Sequence, residues 1–408
     1  MKTNIVSDFL STPDGIEANR ILRSCVHCGF CNATCPTYQL LGDELDGPRG
    51  RIYLIKQTLE GKTPSRQTQL HLDRCLTCRN CESTCPSGVN YSHLLNIGRS
   101  VVNKKVTRSF TQKSLHFFLR KTFLSPFAFS SIIKTGQFFK PLLPAKLKSS
   151  IPEKQKHVQF NATSHARKIL LVPGCVQSSL KPNIDIAAKV VFNELNIESI
   201  EIPYAGCCGS LSHHLNAENE AIQIIKKNID SWWPLIENKT IEAICMTASG
   251  CGVAIKEYHQ LLSDDKAYAE KAKIVSTLYK DPAEVVSAEL SNNKQGIQSL
   301  IKNKLNTAVA FHPPCTLQHG MKLNNLIEPI LSDCGFEVRP FNDKHLCCGS
   351  AGTYSITQKK LSQQLLSNKL DNINQTEHDL IVTANIGCQL HLQSGTTKQV
   401  KHWLELFI

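Results

Sequence analysis

Cys25-Val26-His27-Cys28-Gly29-Phe30-Cys31-Asn32-Ala33-Thr34-Cys35-Pro36 is followed, fifty residues on, by Cys75-Leu76-Thr77-Cys78-Arg79-Asn80-Cys81-Glu82-Ser83-Thr84-Cys85-Pro86. Each comb has the spacing Cys-x2-Cys-x2-Cys-x3-Cys-Pro. Three thiols at this spacing let one tight loop converge on one small object. The fourth follows after a longer step and can point elsewhere. Pro36 and Pro86 fix φ directly after the fourth cysteine, which predicts that neither comb continues as helix.

A 4Fe–4S cubane has four iron corners, each taking one thiolate, and this is the run that holds such clusters in two-cluster ferredoxins. There the last cysteine of each comb ligates the other cluster. The expected ligand sets are therefore crossed: Cys25, Cys28, Cys31 and Cys85 for one cluster, and Cys75, Cys78, Cys81 and Cys35 for the second. Crossing brings two 4Fe–4S clusters close together, as an electron relay requires. Zinc is the competing reading, because Cys-x2-Cys pairs also build zinc sites. Zinc gives no reason for a third cysteine two residues on, nor for the same comb twice. His27 lies inside a comb whose corners cysteines already fill, so it reads as a surface or supporting residue.

Working outward, 39 residues separate Cys35 from Cys75. An insertion this long favours an all-helical two-cluster domain over the compact β-containing ferredoxin. Arg51 to Gln57 reads as a helix introduced by the turn Gly47-Pro48-Arg49-Gly50. Arg49 and Arg51 either offset cluster charge or face solvent beside that turn. Upstream, Pro13-Asp14-Gly15 reads as a turn before a helix carrying Ile16, Ile21 and Leu22. Downstream, Tyr91, Leu94, Leu95, Ile97, Val101 and Val102 suggest a helix closing a domain over residues 1–100.

A chain of 408 residues that is 41% hydrophobic has room for two or three domains with folded cores. Its 18 cysteines stand in metal-ligand spacing, and its start lacks a signal-peptide pattern. Both point to a reducing compartment: the cytoplasm, or the cytoplasmic face of the inner membrane. No apolar run approaches the ~20 residues that cross a bilayer. The net charge of +12 is concentrated between Val101 and His157, where twelve Lys or Arg face one acid, giving +11. That stretch also holds eight of the 16 Phe residues. Phe117, Phe118 and Leu119 beside Arg120 and Lys121 have the character of a membrane-surface helix. Pro126, Pro141, Pro144 and Pro152 divide the connecting segment 101–165 into short pieces. It reads as a membrane or partner docking element, or as a linker packing its Phe residues on neighbouring domains. Nucleic acid is disfavoured, since no nucleic-acid-binding motif surrounds the charge.

From residue 166 the sequence repeats. The strand pattern Lys168 to Val172 ends at Cys175, and Ala308 to Phe311 leads to His312-Pro313-Pro314-Cys315. Helix patterns follow, Ile184 to Leu195 and Leu323 to Leu331. Then come Cys207-Cys208-Gly209-Ser210 and Cys347-Cys348-Gly349-Ser350, each 32 residues beyond its first cysteine. Strands Ile241 to Met246 and Leu380 to Thr383 lead to loops ending at Cys251 and Cys388. Strands alternating with helices imply parallel α/β layers with ligand loops at the strand ends. Repeats over 166–300 and 301–408 thus gather Cys175, Cys207, Cys208 and Cys251, then Cys315, Cys347, Cys348 and Cys388. These eight are candidate ligands of a further metal centre. Cys245 and Cys334 read as buried apolar residues. The expected fold class is α+β multidomain: a helical two-cluster ferredoxin domain followed by two α/β Cys-Cys-Gly domains.

These stretches, with Arg74 to Cys81, Thr247 to Gly252, Cys315 to His319 and Cys347 to Tyr354, resemble the iron–sulfur subunits of bacterial glycolate oxidase along essentially the whole chain. The repeats depart from those of heterodisulfide reductase-like proteins, which end in Cys-x2-Cys. Ala248 and Asn385 stand where the extra cysteine would be, so a non-cubane cluster like theirs is not expected.

The resemblance implies oxidation of glycolate to glyoxylate by a complex of several subunits. This chain has no Gly-x-Gly-x-x-Gly turn and no evident catalytic constellation. The resemblance therefore places FAD and the two-electron step on a flavin-containing dehydrogenase partner. This chain's clusters then pass electrons singly towards a quinone or another acceptor. The same relay would serve a D-lactate, another 2-hydroxy acid or a glycerol-3-phosphate dehydrogenase. A metal-binding scaffold or redox sensor without turnover is the reading from another class.

Overall fold

The computed structural model describes residues 1–140, 155, 158–202, 206–300 and 307–408. Pro141, Pro144 and Pro152 of the connecting segment lie outside the described residues.

The comb region is helical. Its core joins Ile21 and Leu22 of helix Pro13–Ser24, Ile52, Ile55 and Leu59 of Pro48–Leu59, and Leu94 and Leu95 of Tyr91–Lys105. The Pro13-Asp14-Gly15 turn is corrected: these residues are the first turn of the helix. Thr12 caps it by accepting from the Gly15 amide, and Pro13 sits where its missing N–H costs nothing. Pro48 likewise opens its helix, so the Gly47 to Gly50 turn is mostly helix. Pro36 also starts a helix, Pro36–Leu41, rather than only ending the comb.

The repeats form two all-parallel sheets. Strands β1 (Arg167–Leu171), β2 (Ile197–Ile200) and β3 (Ala243–Cys245) lie in the order β2-β1-β3. Strands β4 (Ala308–His312), β5 (Glu337–Val338), β6 (Leu380–Thr383) and β7 (Val400–His402) lie in the order β5-β4-β6-β7. In the first sheet the place of β7 is reduced to one bridge, Ile244 to Tyr279. The helix expected over Leu323 to Leu331 is shorter, Ile327–Asp333. Lys322 and Asn325 take left-handed backbone ahead of it, after a π turn over Thr316–Gly320, so a continuous helix cannot form.

One apolar core runs through both repeats, from Ile169 and Ile244 to Val309, Phe311 and Trp403. Polar contacts lock them: the His402 ring to the Thr247 carbonyl at 3.0 Å, and Ser249 to Thr316 at 2.7 Å. The comb region joins both repeats. Arg79 pairs with Glu257 of the first. Asn80 donates to the His345 carbonyl of the second at 3.3 Å, and Ser83 meets the His319 ring at 2.9 Å. The second comb is thereby pressed against the repeat loops.

Candidate functional site

The two combs adopt the same local backbone. His27 and Gly29 in the first, and Thr77 and Arg79 in the second, all have φ between 54° and 88°. Left-handed residues at matching positions curl each loop so that its thiols turn inward. In the first comb a glycine fills the second of these positions. A Cβ there would lie 2.9 Å from Arg49 Nη1. In the second comb Arg79 bears the strain, held by its ion pair with Glu257.

Cys85 lies in the same small pocket as Cys25, Cys28 and Cys31. On the other side, Cys35 is an electrostatic neighbour of both Cys78 and Cys81. Cys85 is thus found among the first three thiols of the first comb, and Cys35 beside two of the first three of the second. Burial pushes the Cys31 thiol up to about 11 and those of Cys78 and Cys81 well above the ordinary range. Thiolates there need a cationic partner, which iron corners provide. The donor sets fit two cubanes.

The surroundings differ. Near the first comb, Cys28 is exposed, as are Val26, Phe30 and Tyr53. Arg49 is half-exposed and engaged by Glu44 at 2.6 Å. Behind the second comb lies a buried charge network. Arg51 donates to the His71 carbonyl at 2.8 Å and to Thr37 at 3.1 Å, and lies 3.5 Å from Asp46. Asp46 also meets His71 at 3.0 Å and Arg74 at 2.8 Å. Burial pulls the Arg51 pKa down, but Tyr91, Cys75, Cys35 and Asp46 more than reverse this, so it stays cationic. Tyr91 donates to Cys75 Sγ at 3.6 Å, and Thr37 lies 3.3 Å from Cys35 Sγ. Of the two readings of Arg51, the charge-offsetting one matches its placement. Tyr91 and Thr37 went unread as functional: Tyr91 looked like core, and Thr37 carries no pattern.

The repeat cysteines converge on one cavity of about 1320 Å³. It is lined by Cys175, Cys207, Cys208 and Cys251, by Cys315, Cys347 and Cys388, and by Cys75 and Cys78 of the second comb. In the first repeat the four thiols interact in a string, Cys175 with Cys207, Cys207 with Cys208 and Cys208 with Cys251, and the Cys207 thiol is lowered, first by Cys175. In the second, Cys315 Sγ lies 4.0 Å from Cys347 Sγ, and Cys315 is the nearest electrostatic neighbour of Cys78 across the domain boundary. Gly209 and Gly349, at φ +86° and +92°, turn the chain sharply after each cysteine pair. Cys245 and Cys334 are fully buried in the apolar core, as expected.

The basic segment forms helices Phe110–Leu124 and Pro126–Phe139. Their inner face carries Phe123 and Phe129, 5.0 Å apart, against this cavity. Phe110, Phe117, Phe118, Phe138 and Phe139 are exposed. The Arg120-Lys121 pair does not head a free basic face: both engage Glu220, at 2.7 and 2.8 Å. Among the described residues no helix is long and apolar enough to cross a membrane.

A 4Fe-4S dicluster domain matches residues 21–89, and a cysteine-rich domain matches residues 169–256 and 309–393. The chain is 47% identical over 407 residues to the glycolate oxidase iron–sulfur subunit of Escherichia coli (strain K12), covering 100% of this chain and 98% of that protein. It is 27% identical to a protein of Bacillus subtilis (strain 168) named probable glycolate oxidase iron–sulfur subunit, over 93% and 90% of the two chains. Lactate utilization protein A of Bacillus pumilus (strain SAFR-032) is 23% identical over 55% of this chain and 90% of its own length.

Proposed function

The chain belongs to the family of glycolate oxidase iron–sulfur subunits, and from this we propose that it carries electrons within a complex that oxidises glycolate to glyoxylate. It is one part of an oxidoreductase. The observation that carries the reading is the placement of Cys85 among the thiols of the first comb and of Cys35 beside Cys78 and Cys81. That placement supports one cubane on Cys25, Cys28, Cys31 and Cys85, and another on Cys75, Cys78, Cys81 and Cys35. Such clusters, when bound, supply one-electron carriage.

Around them the chain's own residues divide the work. Val26, Phe30 and Tyr53 give the first comb an exposed apolar rim, suited to a flavin-bearing partner. Arg51, Thr37 and Tyr91 favour negative charge at the second comb. The second comb faces the cavity of the repeats. The repeat cysteines are candidates for a further centre there. The outward Phe residues of the two basic helices fit a membrane surface, where a quinone acceptor resides.

The test uses the assembled complex. Replacing Cys28 or Cys78 by Ser abolishes acceptor reduction while glycolate still reduces the partner's flavin. Full acceptor turnover in both variants contradicts the relay. The partial, distant match to a lactate utilization protein makes lactate the second reading, and a substrate screen on the same complex separates the two.

A further inference from the structure

Outside the combs, the described residues bring one set of Cys and His donors into a single compact triad. A ring nitrogen of His312 and the Sγ atoms of Cys348 and Cys388 all lie within 4.8 Å of one another, and all three residues are buried. His312 is 1% exposed, yet neither Nδ1 nor Nε2 has a hydrogen-bond partner. A buried imidazole with both nitrogens unpaired calls for an explanation, and an unseen ion is one.

The fold shows why the three meet. His312 is the last residue of β4, in register with Thr383 at the end of β6. Helix Ile386–Gln393 leaves β6 directly and carries Cys388. Cys348 arrives from the β5 side just before the Gly349 turn. The carboxyl ends of adjacent parallel strands, and the segments that follow them, thus aim three donors at one point. The first repeat is different. Three residues before Cys175 stands Val172, in the apolar core, where the second repeat has His312. The duplication has a donor on one side only.

A second observation bears on charge. Lys369 is 2% exposed, and its ammonium donates to the Asp343 carbonyl at 2.5 Å. Lys369 is also an electrostatic neighbour of Cys348, Cys347 and Cys388, so a basic group stands close to the thiols that a bound metal would deprotonate.

We propose that His312, Cys348 and Cys388 form a mononuclear zinc site, distinct from the comb clusters, with its fourth position towards the cavity that Cys388 lines. Two thiolates and one imidazole are a donor set zinc takes readily, and an open fourth position admits water or a ligand. Zinc binding displaces the thiol protons and leaves no charge change to be met by a redox partner.

The experiment uses the full chain, purified anaerobically with its comb iron in place. Zinc is counted, and its shell is read by X-ray absorption at the zinc edge. About one zinc per chain is expected, with sulfur at ~2.3 Å and nitrogen at ~2.0 Å. His312→Leu lowers zinc affinity by at least about 100-fold and leaves comb iron unchanged. His312→Cys keeps zinc in a sulfur-only shell. A wild-type chain without zinc, a wild-type shell without nitrogen, or full zinc in His312→Leu overturns the site. If His312→Leu also loses comb iron, His312→Cys decides: zinc bound through sulfur supports the site, and a zinc-free chain with intact comb iron overturns it.

Discussion

Arg51 Nη1 lies 4.0 Å from Cys35 Sγ, with its guanidinium almost wholly removed from solvent. A desolvated cation beside a ligand sulfur stabilises the more negative, reduced state of whatever that sulfur holds. Among the described residues the cations at the first comb are more open to solvent: Arg49 is half-exposed and committed to Glu44, and the Met1 ammonium, only part-buried, donates to the Cys25 carbonyl at 2.7 Å. The charge is therefore asymmetric between two otherwise matching loops.

Arg51→Leu should lower the reduction potential of the second-comb centre and leave the first-comb centre in place. Redox titration followed by EPR reads both. Arg51→Lys, which keeps charge but loses the fork to Thr37 and the His71 carbonyl, should shift it less. Arg51→Leu should also destabilise the chain by about 3 kcal/mol, the low end for breaking a buried pair. The low end applies because Asp46 keeps Arg74 and His71. Equal shifts at both centres would remove the asymmetry argument.

Crossed ligation predicts losses in the opposite comb. Cys85→Ala lies in the second comb but should remove the first-comb signal, because its neighbours are Cys25, Cys28 and Cys31. Cys35→Ala should do the reverse. Iron should fall by about half in each variant, one cubane of two. If each substitution removes the signal of its own comb, the ligation is uncrossed.

The combs and the 32-residue offset were legible because spacing along the chain is itself the geometry of a loop. The strands of the repeats were legible as short apolar runs, and Leu380–Thr383 matches its expected span. What spacing cannot give is convergence. Arg51 was legible as a cation but not as buried, since its helix shows Ile52, Ile55 and Leu59 whichever way a neighbouring arginine points. His312 meets Cys388 only because β4 and β6 pair in parallel, across the 67 residues that separate the two strands. Setting the two repeats side by side would have flagged it, as a histidine opposite Val172. Pro13-Asp14-Gly15 misled because proline at a helix's first position and proline in a turn look alike until the Thr12 cap is seen.

Acidity should raise, not lower, the stability of the first repeat. Asp281 is buried at the start of helix Pro282–Ser299, and burial pushes its carboxyl up to about 7. Glu284 adds to the shift and Lys256 opposes it, with Tyr279 and Cys245 also close by. An acid with a raised folded pKa contributes stability that is full below its unfolded value of ~3.9 and lost as pH climbs through the folded value. The wild type should thus weaken between about pH 4 and about pH 7, by a few kcal/mol at most on the order of 2.3RT per unit. Asp185, pushed up to about 6 by burial, acts in the same direction. Asp281→Asn keeps a capping side chain. It should flatten most of the slope and be the more stable chain near pH 8, as denaturant titrations at several pH values would show. An unchanged slope would mean that Asp281 ionises freely in the fold.

The basic helices make the last distinction. Phe138 and Phe139 touch edge to face at 5.1 Å and are exposed, with Ile132 and Lys134 exposed on the same helix. Phe117 and Phe118 are exposed on the preceding helix, while Arg120 and Lys121 are spent on Glu220. If this face meets lipid, the rings should dominate and the Arg120-Lys121 pair should not. Each Phe buried in an interface is worth ~1.5–3 kcal/mol when fully covered. Replacing Phe138 and Phe139 together by Ser should therefore weaken binding to anionic vesicles at least about tenfold. Lys121→Ala should leave it nearly unchanged, because that cation already has its partner. Salt should weaken the wild type modestly, through Lys113 and Lys134, and should not abolish binding. Vesicle sedimentation measures all three. Binding that follows Lys121 and ignores Phe138 and Phe139 would point to a purely electrostatic contact, and the exposed rings would then need a protein partner.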